Sequence, residues 1–185
     1  MCLERGKPLY RIHRAGRNPW WFSSSGLGRF DLRERPGSPA WKGTCYLATT
    51  PLGCFVEVFR DGFLIPAAEL EERRISHLDL PSRVKLADCT SSRSRAFGIT
   101  AEIHSTPHYE ITQAWAAAFE SAGFHGIHYF LRHDPGQRLT GVALFGPAGA
   151  GTDASGYPSG LVRPIGPDIL EEAASRFGIL TLPAS

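Results

Sequence analysis

A single glutamate, Glu57, is the residue of this chain whose type and surroundings best fit catalysis. It is the only carboxylate between Glu34 and Asp61, and phenylalanine and valine residues flank it. Such a carboxylate lies either on the solvent side of a helix or in a partly apolar cleft, where it could stabilise positive charge. At about 100° per residue, Glu57 falls away from the apolar stripe of its helix. Periodicity alone therefore favours the solvent-exposed position.

A glycine-rich segment, residues 26–31 (Gly-Leu-Gly-Arg-Phe-Asp), could present Arg29 to a phosphate group. Glycine lets the backbone approach a ligand, and a guanidinium can bind phosphate through two parallel hydrogen bonds. The segment does not lie between a strand and a helix, as a dinucleotide-binding fingerprint requires. By itself it is better interpreted as a surface turn. Nearby aromatic residues could stack on a base or anchor the loop to the core: Trp20, Trp21, Phe22 and Phe30.

The cysteines and histidines do not indicate a metal site. The four cysteines are Cys2, Cys45, Cys54 and Cys89. They form no CxxC pair and have no histidines at zinc-finger spacing. Cys45 and Cys54 lie in apolar stretches, which predicts buried, reduced thiols. Three histidines cluster near one predicted strand: His125, His128 and His133. A Cys–His nucleophile pair stays open, whereas the GxSxG and GxxxxGK[ST] motifs are absent.

Short strands and helices must position these residues. Strands are predicted at residues 9–13, 45–48, 75–80, 84–88, 126–130, 142–145 and 161–164. Helices are predicted at about 51–60, 107–122 and 167–177, with one or two helical turns at 94–99. Thr50 is the expected N-cap of the first helix, Pro51 its first residue, and Gly62 and Gly123 are expected stops. Long loops are predicted at 15–42 and 147–160.

Two apolar helix stripes are predicted. The first helix presents Leu52, Phe55, Val56 and Phe59, and the second presents Ile111, Trp115, Ala118, Phe119 and Ala122. Because strands and helices do not alternate regularly, we expect an α/β (α+β) fold with a split mixed sheet. One domain is expected over residues 1–185, with its core at 8–146 and a C-terminal loop, strand and helix at 147–185.

Composition is that of an ordinary globular protein. The chain has 185 residues, 42% of them hydrophobic, and a formal net charge of +2. This small charge gives no indication of a nucleic-acid or membrane-surface partner. No signal-peptide h-region and no apolar run of membrane-spanning length is found, so we expect a cytoplasmic protein.

Taken in order, several segments resemble the RES-domain family. Leu9–Ile12 opens the similar region, and Gly28–Asp31 matches the family's Gly-Arg-aromatic-Asn/Asp turn. Tyr46–Ala48 then leads to Glu57, eleven residues after Tyr46. Gly126–Tyr129 finally precedes Ala143–Phe145. No segment is specific alone, but their order and spacing are, and the similarity extends from Tyr10 to about Gly146.

The resemblance implies a fold like that of the ADP-ribosyltransferase toxins and specific roles for several residues. Glu57 would be the catalytic carboxylate, Tyr46 would pack on the nicotinamide or its ribose, and Arg29 would bind the phosphates of NAD. The expected NAD-binding set is Arg11, Gly28, Arg29, Tyr46 and Arg132. The family's serine position holds Leu131 here. Either the serine's hydrogen bonds are lost, so that Leu131→Ser would raise catalytic efficiency by roughly two- to tenfold, or Leu131 packs in the core and a nearby group such as Arg132 or Ser23–Ser25 replaces the serine.

The function that the resemblance implies is cleavage of the nicotinamide–ribose bond of NAD by the toxin of a bacterial toxin–antitoxin pair. Water, phosphate or a protein side chain could be the acceptor. NAD and a protein antitoxin are the expected partners, with no metal. Two alternatives remain open: a catalytically impaired module that binds NAD or a partner, and an arginine-rich toxin that acts on nucleic acid.

Overall fold

The structure, a computed structural model, describes residues 1–32, 42–60 and 62–182. Its strands are β1 (Cys2–Leu3), β2 (Pro8–Arg14), β3 (Trp21–Phe22), β4 (Lys42–Ala48), β5 (Leu64–Pro66), β6 (Arg73–Asp79), β7 (Val84–Asp88), β8 (Gly126–Phe130), β9 (Thr140–Pro147), β10 (Gly149–Ala150), β11 (Leu161–Arg163) and β12 (Leu180–Leu182). Its α-helices are α1 (Pro51–Val58), α2 (Ala67–Glu71), α3 (Glu102–Ser105), α4 (Tyr109–Ser121) and α5 (Pro167–Phe177). Short 3₁₀ helices cover Ser92–Phe97 and Asp153–Ser155.

A large mixed sheet organises the fold. Its strand order is β1-β7-β8-β9-β4-β2-β6-β11, with β7 and β8 parallel and the other neighbours antiparallel. The β2–β4 junction rests on one paired position, Tyr10 with Ala48. Beyond that position the two strands separate. The predicted α/β class with a mixed, split sheet is therefore confirmed.

The sheet has an apolar core on each face. Along β4, Cys45 and Leu47 pack on one face, whereas Tyr46 and Ala48 face the other, as the two-residue period of a strand requires. The first core includes Trp20 and the second is covered by helices α1, α4 and α5. Cys45 and Cys54 are buried and free, as predicted.

Helix α1 begins as the sequence predicts. Thr50 accepts a hydrogen bond from the backbone N–H of Gly53 at 3.1 Å, and Pro51 occupies the first turn. The predicted stripe is buried in full: Leu52, Phe55, Val56 and Phe59. The helix ends at Val58, about two residues early, because Phe59 already has non-helical dihedral angles. Gly62 is thus not its stop.

Helix α4 buries only part of the face that hydrophobicity indicates, because Trp115 and Phe119 are half-buried against the core but the rest of that face is more exposed. Ile111, a member of the predicted stripe, is 50% exposed. The residues that α4 buries are instead Thr112, Gln113 and Ala116. The two polar side chains point inward because they hydrogen-bond the loop that carries Arg29, as described below.

The other predicted elements are present with small shifts, whereas β1, β5, α2, α3 and β12 were not predicted. The predicted helix 167–177 and strand 126–130 have the predicted bounds, whereas the turns predicted at 94–99 form a 3₁₀ helix at Ser92–Phe97. The predicted loops contain β3 and β10, which pair with each other. Residues 33–41 of the first loop lie outside the described residues. In the described part of the chain, no helix is long and apolar enough to cross a membrane.

Candidate functional site

A cleft opens where the sheet splits. Arg11 and Ile12 line it from β2, while Tyr46, Leu47 and Ala48 line it from β4. Strands that remained hydrogen-bonded would fill this space, so the separation after the Tyr10–Ala48 position creates the opening. The cleft has a volume of about 310 Å³. That lies at the lower end of the range of about 300–1,000 Å³ that is typical of ligand sites.

Other elements complete the wall of the cleft. The loop before β4 contributes Leu27, Gly28 and Arg29, and helix α1 and its end contribute Cys54, Glu57, Val58 and Arg60. Tyr109 comes from the start of α4, and Tyr129, Leu131 and His133 come from β8 and the turn after it. The cleft thus combines three arginines with one carboxylate on a largely apolar base.

The buried carboxylate of Asp31 shapes the glycine loop, residues 26–31. Its Oδ2 accepts hydrogen bonds from the backbone N–H groups of Gly26 and Gly28, at 3.0 and 3.1 Å. The hydroxyls of Ser23 and Ser25 donate to the same oxygen at 3.2 and 3.1 Å. Because a buried charge requires such donors, the loop closes around this side chain.

The carbonyl groups of the glycine loop are bound as well. Gln113 on α4 donates to the carbonyls of Gly26 and Gly28, both at 2.8 Å. Thr112 donates to the carbonyl of Arg29, and Thr44 on β4 donates to that of Phe30. The loop is therefore held between β4 and α4 through hydrogen bonds to its backbone. This restricts the positions that the Arg29 side chain can adopt.

Tyr46 belongs to the same network. Its hydroxyl donates to Asp31 Oδ1 at 2.8 Å and accepts from the backbone N–H of Phe30 at 2.8 Å. Burial raises the pKa of the Tyr46 hydroxyl well above its ordinary value, and the Asp31 carboxylate raises it further. A Cβ atom on Gly28 would come within 2.3 Å of Asp31 Oδ1 and 2.5 Å of the Tyr46 hydroxyl. Only glycine therefore fits at position 28, next to the Asp31 carboxylate and the Tyr46 hydroxyl.

Arg29 is a buried cation with an unpaired hydrogen-bond donor. The residue is 9% exposed, and its Nη1 has no hydrogen-bond partner among the described residues. The guanidinium lies 5.3 Å from the ring centroid of Tyr109. Burial lowers the pKa of Arg29, an effect that Tyr109, Tyr129 and Glu57 oppose, but a guanidinium stays charged in proteins. Arg29 lines the cleft, so an anion there would lie beside this charge, whereas Nη1 itself is closed to solvent in this conformation.

Arg11 is held more firmly than Arg29. Its Nη1 donates to the carbonyls of Pro19 and Trp21 at 3.0 and 2.9 Å, and it lies 3.0 Å from Cys45 Sγ. These contacts tie β2 to the loop before β3. Arg11 still lines the cleft, so its charge acts on a ligand there while part of its donor capacity is used by the fold.

Glu57 lines the cleft and contacts His133. Its Oε1 lies 3.0 Å from His133 Nδ1, and the two side chains are 29% and 26% exposed. The solvent-exposed position that periodicity favours for Glu57 is therefore wrong, and the cleft position that the resemblance implies is the observed one. Cleft walls such as Leu131 and Tyr129 are buried, which strengthens the field of a nearby carboxylate.

Neither cysteine chemistry nor a metal explains the cleft. Cys54 lines it, but burial raises the pKa of its thiol to about 12, so it is not a thiolate near neutral pH. A Cys–His nucleophile pair at this site is thus disfavoured. Over residues 1–32, 42–60 and 62–182, no group of three or more His, Cys, Asp or Glu side chains is arranged to hold a metal ion.

Comparisons with known proteins agree with this geometry. The family model described as "RES domain" matches residues 8–160. The chain belongs to the RES-domain family. Among solved structures, the chain is similar to one in the crystal structure of the M. tuberculosis MbcT–MbcA toxin–antitoxin complex, with a TM-score of 0.57 and 20% identity. The match covers 78% of this chain and 76% of the other. No curated protein matches the chain in sequence.

The structure brings most of the predicted RES-domain site residues together. Arg11, Gly28, Arg29, Tyr46 and Glu57 all line the cleft. The remaining one, Arg132, is exposed and is not part of the cleft wall, although its charge lowers the pKa of Arg29.

Leu131, which the resemblance predicts to stand at the family's serine position, is a packing residue. It is 2% exposed, and its methyl groups lie against Gly53 and Gly141, leaving no room for a Cβ at either glycine. Ser23 and Ser25, two of the expected substitutes for the serine, bind Asp31 instead.

His133 is the site residue that sequence reasoning missed. Sequence patterns connect the histidine cluster with a metal site or a Cys–His pair, whereas the structure places His133 against Glu57. Its position four residues after Tyr129, in the polar turn between β8 and β9, was the available signal.

The role of Asp31 predicts a large effect of Asp31→Asn. The asparagine side chain is close in size to the aspartate, but its N–H₂ group replaces one of the two carboxylate oxygens. At least one buried group that donates to Asp31 therefore loses its acceptor. We expect the free energy of unfolding to fall by about 2–3 kcal/mol, measured by urea denaturation. Asp153→Asn, at an exposed aspartate that accepts from Ser159 N, is the control and should change little. Equal stability of the two variants would contradict the assigned role of Asp31.

The packing of Leu131 predicts that Leu131→Ser destabilises the protein. Removal of a buried leucine side chain costs about 2–4 kcal/mol, and the new hydroxyl lies among apolar groups. Thermal unfolding should show a clearly lower Tm than for the control Leu161→Ser, whose leucine is exposed. A variant as stable as the parent would show that the position tolerates the family's serine.

Proposed function

We propose that this cleft binds NAD and that the protein cleaves the nicotinamide–ribose bond, as the toxin of a toxin–antitoxin pair. The observation that carries the proposal is the buried Arg29 guanidinium, which has no partner at Nη1 and lines the same cleft as the Glu57 carboxylate. The diphosphate of NAD would bind the Arg29 guanidinium, and its positively charged nicotinamide–ribose linkage would lie beside the Glu57 carboxylate. Membership of the RES-domain family supports this pairing.

Glu57 would act on the reacting ribose. As the bond breaks, its electron pair moves to the pyridinium nitrogen, so nicotinamide leaves neutral and positive charge develops on the ribose. Water or phosphate would then form the new bond to the same ribose carbon, and an attacking water would lose its proton to solvent. A carboxylate preorganised near that centre stabilises the oxocarbenium-like transition state more than the ground state. The buried residues around Glu57 reduce screening by water, which increases this effect.

Arg29 and Tyr46 would bind and orient NAD and not react. The phosphate charge is the same before and during the reaction, so Arg29 contributes to binding and positioning. The Tyr46 hydroxyl is fully engaged with Asp31 and Phe30, which leaves the ring as its contact surface for the nicotinamide or ribose. Arg11 would add a second positive charge on the opposite strand.

We further propose a protein antitoxin as partner. The similar solved structure comes from a toxin–antitoxin complex, and an antitoxin that covers or distorts the cleft would block NAD.

The direct test of the proposal is release of nicotinamide from NAD, followed by chromatography with and without phosphate. We expect release by the wild-type protein and its loss in Glu57→Gln, because the amide keeps the shape and removes the charge. One such electrostatic contact is worth about 10²–10³ in rate. Glu171→Gln, at an exposed glutamate of α5, is the control and should be as active as the parent.

Other outcomes of this assay point to the alternatives. NAD binding without release by the wild type would support an impaired binding module. Salt-sensitive RNA or DNA binding without NAD binding would support a nucleic-acid toxin. An unchanged rate in Glu57→Gln would remove Glu57 from the mechanism.

Replacing Arg29 with methionine should have opposite effects on binding and on stability. Arg29→Met keeps an unbranched chain but removes the charge, so we expect KM for NAD to rise about 10- to 100-fold with kcat little changed. Since a buried charge with an unpaired donor destabilises the fold, Tm should stay equal or rise. The control is Arg95→Met, at an exposed arginine. A lower Tm with unchanged KM would contradict the binding role of Arg29.

A further inference from the structure

The turn between β8 and β9 is rigid, and it carries His133. Asp134, the next residue, is buried and accepts hydrogen bonds from three backbone N–H groups, those of Gly136, Arg138 and Leu139, at 3.0, 2.7 and 2.7 Å. The Leu131 N–H also donates to the Leu139 carbonyl at 3.0 Å. The backbone on both sides of His133 is therefore fixed, which limits where its imidazole can lie.

The imidazole of His133 contacts one oxygen of Glu57. Nδ1 lies 3.0 Å from Oε1, and the backbone N–H of His133 points to the same oxygen at a longer 3.4 Å. A carboxylate oxygen can only accept, so Nδ1 must carry the proton. Among the described residues, Oε2 of Glu57 has no hydrogen bond. The two oxygens of the carboxylate are thus different: one is held and the other is available.

We propose that His133 is a positioning residue for the reaction proposed above, on which this inference rests: it holds Glu57 through Oε1 so that Oε2 faces the substrate. A glutamate side chain has several rotamers, and a hydrogen bond from one fixed donor removes most of that freedom. A preorganised carboxylate is more effective than a mobile one, because no reorganisation is needed as charge develops.

This role requires a donor at Nδ1 and no proton transfer by His133. Nicotinamide leaves as a neutral molecule when it takes the electron pair of the broken bond, so it needs no general acid. Asparagine places an amide N–H₂ close to the position of Nδ1, whereas alanine offers no donor. The pair His133→Asn and His133→Ala therefore separates positioning from acid–base catalysis.

The kinetic experiment measures kcat and KM for NAD in both variants. We expect His133→Ala to lower kcat about 10- to 100-fold with KM little changed, because Glu57 loses its orientation and the phosphate contacts stay. His133→Asn should recover most of kcat. His77→Ala removes a similar His–Asp contact on the exposed side of β6 and should be fully active. Full activity of His133→Ala, or an Asn variant as slow as the Ala variant, would overturn the proposal.

A second readout does not depend on turnover. Imidazole ¹H–¹⁵N correlation spectra, assigned with His133→Asn, should show His133 as the Nδ1–H tautomer when neutral. In Glu57→Ala the acceptor is gone, and the tautomer should change to Nε2–H. An Nε2–H tautomer in the wild-type protein would overturn the positioning role even if NAD is cleaved. The expected tautomers in a protein that does not cleave NAD would leave the contact established and reject the proposed reaction instead.

Discussion

The buried carboxylate of Asp31 is the interaction on which the cleft depends. A charge without exposure to water is unfavourable unless donors surround it, and here the donors come from the Gly26 and Gly28 backbone and from Tyr46. Meeting that requirement gives the glycine loop its shape. Arg29 follows Gly28 directly, so the same network that satisfies one buried charge places the other in the cleft.

Arg29 shows how the fold sets stability against function. The unpaired Nη1 donor is unfavourable in the free protein, and an anion bound to the Arg29 guanidinium would offset this cost. The split of the sheet has a similar effect, since β2 and β4 give up ladder hydrogen bonds beyond Tyr10–Ala48 and gain a cleft. Both features lie at the same place, which is typical of a binding site built on a rigid scaffold.

Local signals in the sequence predicted most of the elements but not the contacts between distant ones. Thr50 and the apolar stripe of α1 act within one helix, so their pattern is readable. Thr112 turns inward because it donates to the carbonyl of Arg29, which is 83 residues away in the sequence. His133 contacts Glu57, which is 76 residues away in the sequence. Periodicity contains no information about such partners. For Glu57 the periodicity was misleading, and the ordered family segments gave the better prediction.

A crystal structure of the Glu57→Gln variant with NAD tests the central claim most directly, because this variant should bind NAD without consuming it. We predict a diphosphate oxygen at about 3 Å from a guanidinium nitrogen of Arg29 and the nicotinamide-bearing ribose against residue 57. The Asp31–Tyr46 network should be unchanged. NAD bound outside the cleft, or bound with its diphosphate away from Arg29, would contradict the account.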